Sequence, residues 1–524
     1  MAPLYNFVMK LICMTIIILL CISFLNFNHL YPWTTFDGEK NIFYAFTVVC
    51  IYFIYSHKTA IKLDINILLL FLLLLVSVFL FNYYVFKQYF YIFNLYIINL
   101  IILSIILLNI DYEKFNILEI VLIAVLVSGC FSSVFSIYQW LDFASGSFWL
   151  YDSAGSRFSA NLAQPNHLST LLLLALLSCV YFFNKIKFIP ILFFIPILLF
   201  SLLLTQSRSA ILALILIVLM TLVKWNLVSH KVKAVLFSFV PIYILLGKLI
   251  STTNKKINAV ERMGGSFERV AIWQDFFHVI PHISFWGIGW KNIEYYQFEF
   301  GQNFSGYLAS YHNIFLDLIV IFGLFGGLFF LYVFFSLLRI FVKLNDQNDY
   351  IVFLMVLVII NHSMLEFPLF YAYFLFVLAV FYFYLAKKYL FNFINLKLNK
   401  YIFLFFVVLI VASGFIYDYF YEKNRSNYRT LFLGYCVNNL SESILFDEFY
   451  NLAIINCKEN MNLRHIEYFE RGLLARPSSN NILKLIYVYH EVGKYEKRDA
   501  LLARYNAKYF PQYTLDQVLQ KKFF

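Results

Sequence analysis

Ser310-Tyr311-His312-Asn313-Ile314-Phe315-Leu316-Asp317 closes the polar loop 251–312 and opens an apolar run that continues to Phe341. A titratable imidazole therefore stands where a water-facing segment enters a long hydrocarbon-compatible one. The same alternation of long apolar runs with short polar connections fills most of the chain on either side. Of the 524 residues, 62% are hydrophobic and 13% are charged, with a mean hydropathy of +0.76. A soluble globular protein carries roughly 25% charged residues. Half that charge, with many runs of membrane-spanning length, predicts an all-α, polytopic transmembrane helical bundle. The few polar groups at the boundary must then carry whatever chemistry exists.

With the N-terminus in the cytoplasm, about thirteen spans are expected at 8–26, 41–55, 65–82, 89–110, 116–139, 168–183, 188–206, 209–223, 234–250, 313–338, 350–364, 369–386 and 401–418. The first apolar run is followed by the bulky Phe27-Asn28-His29-Leu30-Tyr31 rather than a small-residue cleavage site, so it reads as a retained helix. The inward connections collect Lys58, Lys62, Lys114, Lys185, Lys187, Lys224, Lys231, Lys233, Arg339, Lys343, Lys387, Lys388, Lys397 and Lys400. The short outward ones hold only Lys40, Lys87, Arg157 and Arg208. That asymmetry supports the orientation and accounts for much of the net charge of +11, with no nucleic-acid partner implied. The polar-rich connections (140–167, Gln206–Ser209, 251–312 and 366–368) all fall on the outer side. One-sided polarity suggests a catalytic or binding face, whereas a carrier more often places charges near mid-membrane.

Two domains are expected: a membrane part, 1–418, that includes the loop 251–312, and a helical tail, 419–524. In the tail, apolar residues recur at helical spacing over 480–492 and 500–510. The stretch from Arg476-Pro477-Ser478-Ser479-Asn480 through Gly493-Lys494-Tyr495 to Phe510-Pro511 resembles one tetratricopeptide unit, which cannot bury its own face and needs neighbours. Cys436 and Cys457 lie in this tail and are disulfide candidates if the compartment is oxidising; two unpaired thiols are the alternative. No CxxC or Cys/His metal spacing appears, and the outer loops lack grouped carboxylates, so no metal and no cofactor are expected.

Four clusters of residues carry the candidate chemistry. Arg157-Phe158-Ser159-Ala160-Asn161-Leu162-Ala163-Gln164-Pro165-Asn166-His167 places carboxamides at a helix start, suited to an anion or sugar or simply to capping. Gln206-Ser207-Arg208-Ser209 is a short hinge whose Arg is either an interfacial anchor or a guanidinium fork for a phosphate. Arg262 to Trp273 includes Arg269, which could reach the same anion or be a solvated loop charge. His312, flanked by Tyr311 and Asn313, is a candidate general base or an ordinary interfacial histidine; His278 and His282 are rivals in the same loop. His362 and Glu366 flank a further outer turn with Pro368 and Tyr371. No GxSxG-type turn supports a serine hydrolase.

These motifs together resemble the O-antigen ligase/polymerase superfamily (WaaL, Wzy and PglL types). The shared pattern is many spans, a Ser-Arg-Ser-Ala hinge at 207–210, and a large loop ending in His312-Asn313. Arg157–His167 and His362-Ser363-Met364-Leu365-Glu366-Phe367-Pro368-Leu369-Phe370-Tyr371-Ala372-Tyr373 look like the PglL branch, the bacterial O-oligosaccharyltransferases. The resemblance implies a GT-C-like bundle in the bacterial inner membrane, with the large loop and the tail periplasmic. It implies a donor oligosaccharide on undecaprenyl diphosphate and an acceptor Ser or Thr hydroxyl of a pilin or other periplasmic protein. It further implies His312 as catalytic base, Arg208 and Arg269 on the diphosphate, and Arg157, Gln164, Asn166, Asn313, Glu366 and Tyr371 as substrate-positioning groups. A ligase to lipid A core, a polymerase, or a lipid-linked glycan transporter are the rival readings.

Overall fold

The computed structural model describes residues 2–27, 36–56, 61–63, 69, 71–76, 87–147, 149–151, 157–186, 189–251, 268–290, 292–306, 308–390, 394–396 and 466–521. In chain order the elements begin with α1 (Ala2–Leu25), α2 (Phe36–Ser56), β1 (Ile61–Leu63), α3 (Lys87–Asn109), α4 (Ile117–Trp140), α5 (Pro165–Ile186), α6 (Phe194–Leu204), α7 (Arg208–Val223) and α8 (His230–Ser251). They continue with α9 (Glu268–Val279), α10 (Ile293–Phe300), α11 (Ile314–Phe322), α12 (Leu324–Lys343), α13 (Gln347–Ser363), α14 (Ala372–Tyr389) and β2 (Ile394–Leu396). The tail contributes α15 (Ile466–Ala475), α16 (Ser479–Glu491), α17 (Tyr495–Lys508) and α18 (Leu515–Leu519). Among the described residues the sole β element is the three-residue antiparallel pair β1–β2, with Lys62 opposite Asn395.

Among the described residues, six helical segments are long and apolar enough to cross a bilayer: Phe7–Leu25, Ile117–Trp140, Pro165–Ile186, His230–Leu249, Leu324–Lys343 and Ala372–Tyr389. Tyr96–Asn109, Pro190–Leu204 and Arg208–Val223 are shorter apolar helices. The chain is thus a multi-pass helical membrane protein. The expected span 401–418 lies outside the described residues, as does most of 65–82.

Two compact units emerge: residues 1–65, 100–265 and 333–414, and residues 66–99, 266–332 and 415–524. In the first, α5 is the central rod. It is buried at every position from Asn166 to Phe182, packed by α4, α6 and α13. Close approach of α4 depends on Gly129, where an added Cβ would lie 2.4 Å from the Ala175 Cβ. Where α4 meets α6, the hydroxyls of Ser136 and Ser201 bond at 2.6 Å, so neither is buried without a partner.

The second unit joins part of the polar loop to the tail. Here the expected single helix over 313–338 is broken at Gly323, which has φ +60 and separates α11 from α12. Sequence alone hid this break, because Gly323 sits in an unbroken apolar run. Its cause is tertiary: the backbone of 285–289 packs into the gap. Ile288 N and Gly289 N donate to the carbonyls of Val320 and Ile321, and Leu324 N donates to Phe285 O. A Cβ at Gly323 would lie 2.0 Å from Phe285 O, so the close contact requires glycine. In the tail, Ser478 caps α16 and Gly493, at φ +74, follows it. The apolar faces of α16 and α17 are covered by Phe469 of α15, Val518 of α18 and Phe298 of loop helix α10. The neighbours that a lone tetratricopeptide-like hairpin needs are therefore supplied by flanking helices and by the loop.

Candidate active site

In the first unit, the start of α5, the hinge before α7 and the turn after α13 meet on Asn166. Its Oδ1 accepts from Arg157 Nη2 at 3.0 Å and from Ser207 Oγ at 2.8 Å, and its Nδ2 donates to Glu366 Oε1 at 3.2 Å. These three bonds agree on one amide orientation. The carboxamide thus links a guanidinium to a buried carboxylate. Arg157 is fixed again by donating from Nε to the Thr205 carbonyl at 3.0 Å. Ser207 caps α7 and also bonds Ser169 and Ser209, while Asn361 donates to the Ser209 carbonyl. Arg208 is the first residue of α7 and is half-buried.

One turn deeper, three residues that the sequence reading quoted, His167, His362 and Tyr371, meet Thr170, which it did not. The His167 ring stacks edge-on against Tyr371 (4.5 Å) and His362 (5.5 Å), and Thr170 Oγ1 bonds His362 Nδ1 at 2.7 Å. His167 and Thr170 are three residues apart on α5, on one face, and that periodicity was the available signal.

In the second unit, His312 has φ +52, a left-handed conformation that costs a non-glycine residue on the order of 1–2 kcal/mol. Bonds on both sides hold it there. Its N–H donates to Ser310 Oγ at 2.9 Å, and that hydroxyl donates to Asp317 Oδ2 at 2.6 Å. Asp317 Oδ1 takes the Tyr311 N–H at 2.7 Å, and Asn313 Oδ1 caps α11 through Phe315 N and Leu316 N. The side chain of His312 is half-exposed. Trp273 Nε1 donates to the carbonyl of Tyr311 at 3.1 Å, tying α9 to the residue before His312. Arg269, also half-buried, lies four residues before Trp273 and so on the same face of α9.

Behind this, Asp275 of α9 organises the turn after α10. Its Oδ1 accepts from Gln302 N (2.8 Å), Asn303 N (2.6 Å) and Asn303 Nδ2 (3.0 Å). Its Oδ2 accepts from Phe304 N and Gln297 Nε2, both at 3.1 Å, and faces Lys508 Nζ of α17 at 3.5 Å. Burial works to raise the Asp275 carboxyl, but the three backbone N–H groups, with Lys508 behind them, hold it below the usual carboxylate value. Burial likewise pushes the Lys508 ammonium down to about 8, against the pull of Asp275.

Several of the expected groups have structural work. Gln164 accepts the Asn166 N–H at 2.5 Å at the start of α5, and Asn161 staples the preceding loop through Tyr151 N and Trp149 O. Asn313 is the cap just described. His282 is stacked on Phe300 at 3.8 Å. Arg157, Asn166, Glu366 and Tyr371 come together in the first unit, and Arg269, His312 and Asn313 belong to the second. Arg262, Cys436 and Cys457 lie outside the described residues.

The fold is that of a multi-pass helical membrane protein, and residues 191–331, a stretch that contains Arg208, Arg269 and His312, match the O-antigen ligase family. The chain is 29% identical over 262 residues to the general O-oligosaccharyltransferase of Acinetobacter baylyi, covering 47% of this chain and 46% of that protein. It is also 29% identical over 255 residues to the ComP-specific O-oligosaccharyltransferase of the same organism, again covering 47% and 46%. The chain spans about half the length of the curated relatives it matches. Its resemblance to PglL-type O-oligosaccharyltransferases of the WaaL/Wzy superfamily, first read from short motifs, is upheld by these matches.

Proposed function

We propose that this protein transfers a preassembled oligosaccharide from undecaprenyl diphosphate to Ser or Thr hydroxyls of proteins on the periplasmic side of the bacterial inner membrane. His312 takes the proton of the acceptor hydroxyl as its oxygen attacks the anomeric carbon. The bond from that carbon to the diphosphate oxygen breaks, and lipid diphosphate leaves. A single displacement of this kind inverts the configuration at that carbon. Arg208 and Arg269 offset the charge that grows on the departing diphosphate. Arg157, Asn166, Glu366 and Tyr371 hold the sugar or phosphate end of the donor. The observation that carries this reading is the setting of His312: a half-exposed imidazole, the side chain most often used as a general base, on a backbone locked from both sides.

Deleting the gene and measuring both pilin or periplasmic glycoprotein mass and lipopolysaccharide banding tests the acceptor. Loss of glycan mass from protein with unchanged banding supports the proposal; loss of banding alone replaces it with lipid A core ligation. Arg208→Lys separates two roles of that residue. If the planar fork holds the diphosphate through paired hydrogen bonds, donor KM rises and transfer falls despite the retained charge. Normal kinetics for Arg208→Lys would leave Arg208 as an interfacial anchor.

A further inference from the structure

We propose that Lys508, in the last turn of the tail helix α17, is a positioning residue that holds the His312 loop in register; the inference rests on the role proposed for His312. The last turn of α17 grips the last turn of α10. Lys508 Nζ donates to the Gln297 carbonyl at 3.1 Å and Arg504 Nε to the Phe298 carbonyl at 3.1 Å. The Phe298 carbonyl is among those that a helix C-terminus leaves without intrahelical partners, where cations are favoured, and the Gln297 carbonyl takes Lys508 beside the Gly301 N–H that closes the helix. Lys508 then meets Asp275, and both side chains are buried, at 4% and 0% exposure.

From Asp275 the linkage runs along α9. Two residues earlier, Trp273 holds the Tyr311 carbonyl; one residue later, Phe276 packs edge-on to the Tyr311 ring at 5.7 Å. Asp275 itself anchors 302–304 by their backbone N–H groups. The meeting point has no slack: a Cβ at Gly301 would lie 2.6 Å from Gln297 O and 2.7 Å from both Asp275 Oδ2 and Lys508 Nζ. A shift of α17 must therefore move Asp275, α9 and the residue before His312 together. An apolar contact would join tail and loop with a smaller desolvation cost, because a buried ion pair is weak as glue. What it adds here is one permitted register, since neither charge can slide without losing its partner.

The test uses the full chain in native membranes or nanodiscs, with Lys508→Met, Lys508→Arg and the surface control Lys497→Met. Transfer kinetics and hydrogen exchange are both read. A displacement of about 1 Å at a reacting group can cost on the order of 100-fold in rate. Lys508→Met is expected to lower kcat by about 10- to 100-fold with donor KM unchanged. It should raise exchange over 301–313 and leave the tail core 482–489 protected. Lys508→Arg should restore both, and Lys497→Met should change neither. If Lys508→Met does not accumulate, Lys508→Gln, which keeps a donor for Gln297 O without the charge, is read in the same way. Unchanged exchange at 301–313, or loss of protection throughout the tail, would overturn the inference and leave the transferase reading standing. Active His312→Asn would instead remove that reading, while the exchange result still reports on Lys508.

Discussion

His312→Asn lowers glycan transfer by about 10²–10⁴-fold, the usual contribution of one general base, while the protein still inserts and folds. Asparagine is the informative replacement because its short side chain tolerates the left-handed backbone that residue 312 adopts, at φ +52. The bonds that hold this backbone come from Ser310, Asp317 and the Asn313 cap, none of which is altered. A loss of rate then reports on the imidazole rather than on a collapsed loop. Transfer is measured with membranes carrying the variant, a lipid-diphosphate-linked glycan and an acceptor protein. Glycosylation close to the wild-type rate would remove His312 from the chemistry.

Asp275→Ala is the more damaging change to the fold. Five hydrogen-bond donors and one ammonium converge on a carboxylate that is fully buried. Removing it strands Lys508 at 4% exposure and leaves the N–H groups of Gln302, Asn303 and Phe304 without their acceptor. Breaking a buried ion pair from one side costs about 3–5 kcal/mol. The expected result is early thermal unfolding of the second unit in detergent, or failure to accumulate. Asp275→Asn keeps one acceptor oxygen and should be milder. The pH dependence follows from the direction of the shift. The folded carboxyl titrates below its unfolded value, so its stabilisation is present above the unfolded value and is lost as pH falls through the folded one. Wild-type stability in detergent with no dependence on this residue would refute the account.

The residues of the candidate site could be picked out because membrane proteins concentrate their polar groups. Arg157, Asn166, Glu366 and Tyr371 stood out against apolar surroundings, and the structure joins Arg157, Asn166 and Glu366 by hydrogen bonds. Asn161 and Gln164 stood out equally, yet their carboxamides hold backbone. A carboxamide serves backbone and ligand by the same bonds, so residue type could not separate the two uses. Thr170 was missed, and His167 was quoted without its partners, because a polar residue within an apolar helix gives no sign of a partner 192 to 204 residues away.

Hydrophobic runs and their lengths were enough, without coordinates, to require a helical membrane protein, since only closed backbone hydrogen bonding is tolerated in hydrocarbon. The hairpin over 479–508 was legible for a related reason, as its apolar residues repeat at helical period. What only the tertiary structure decided is how distant backbone and charge meet: the break at Gly323 where 285–289 enters, and the pairing of Asp275 with Lys508. Neither leaves a local trace, because a glycine in an apolar run and a lysine at a helix end are ordinary until another segment is placed against them.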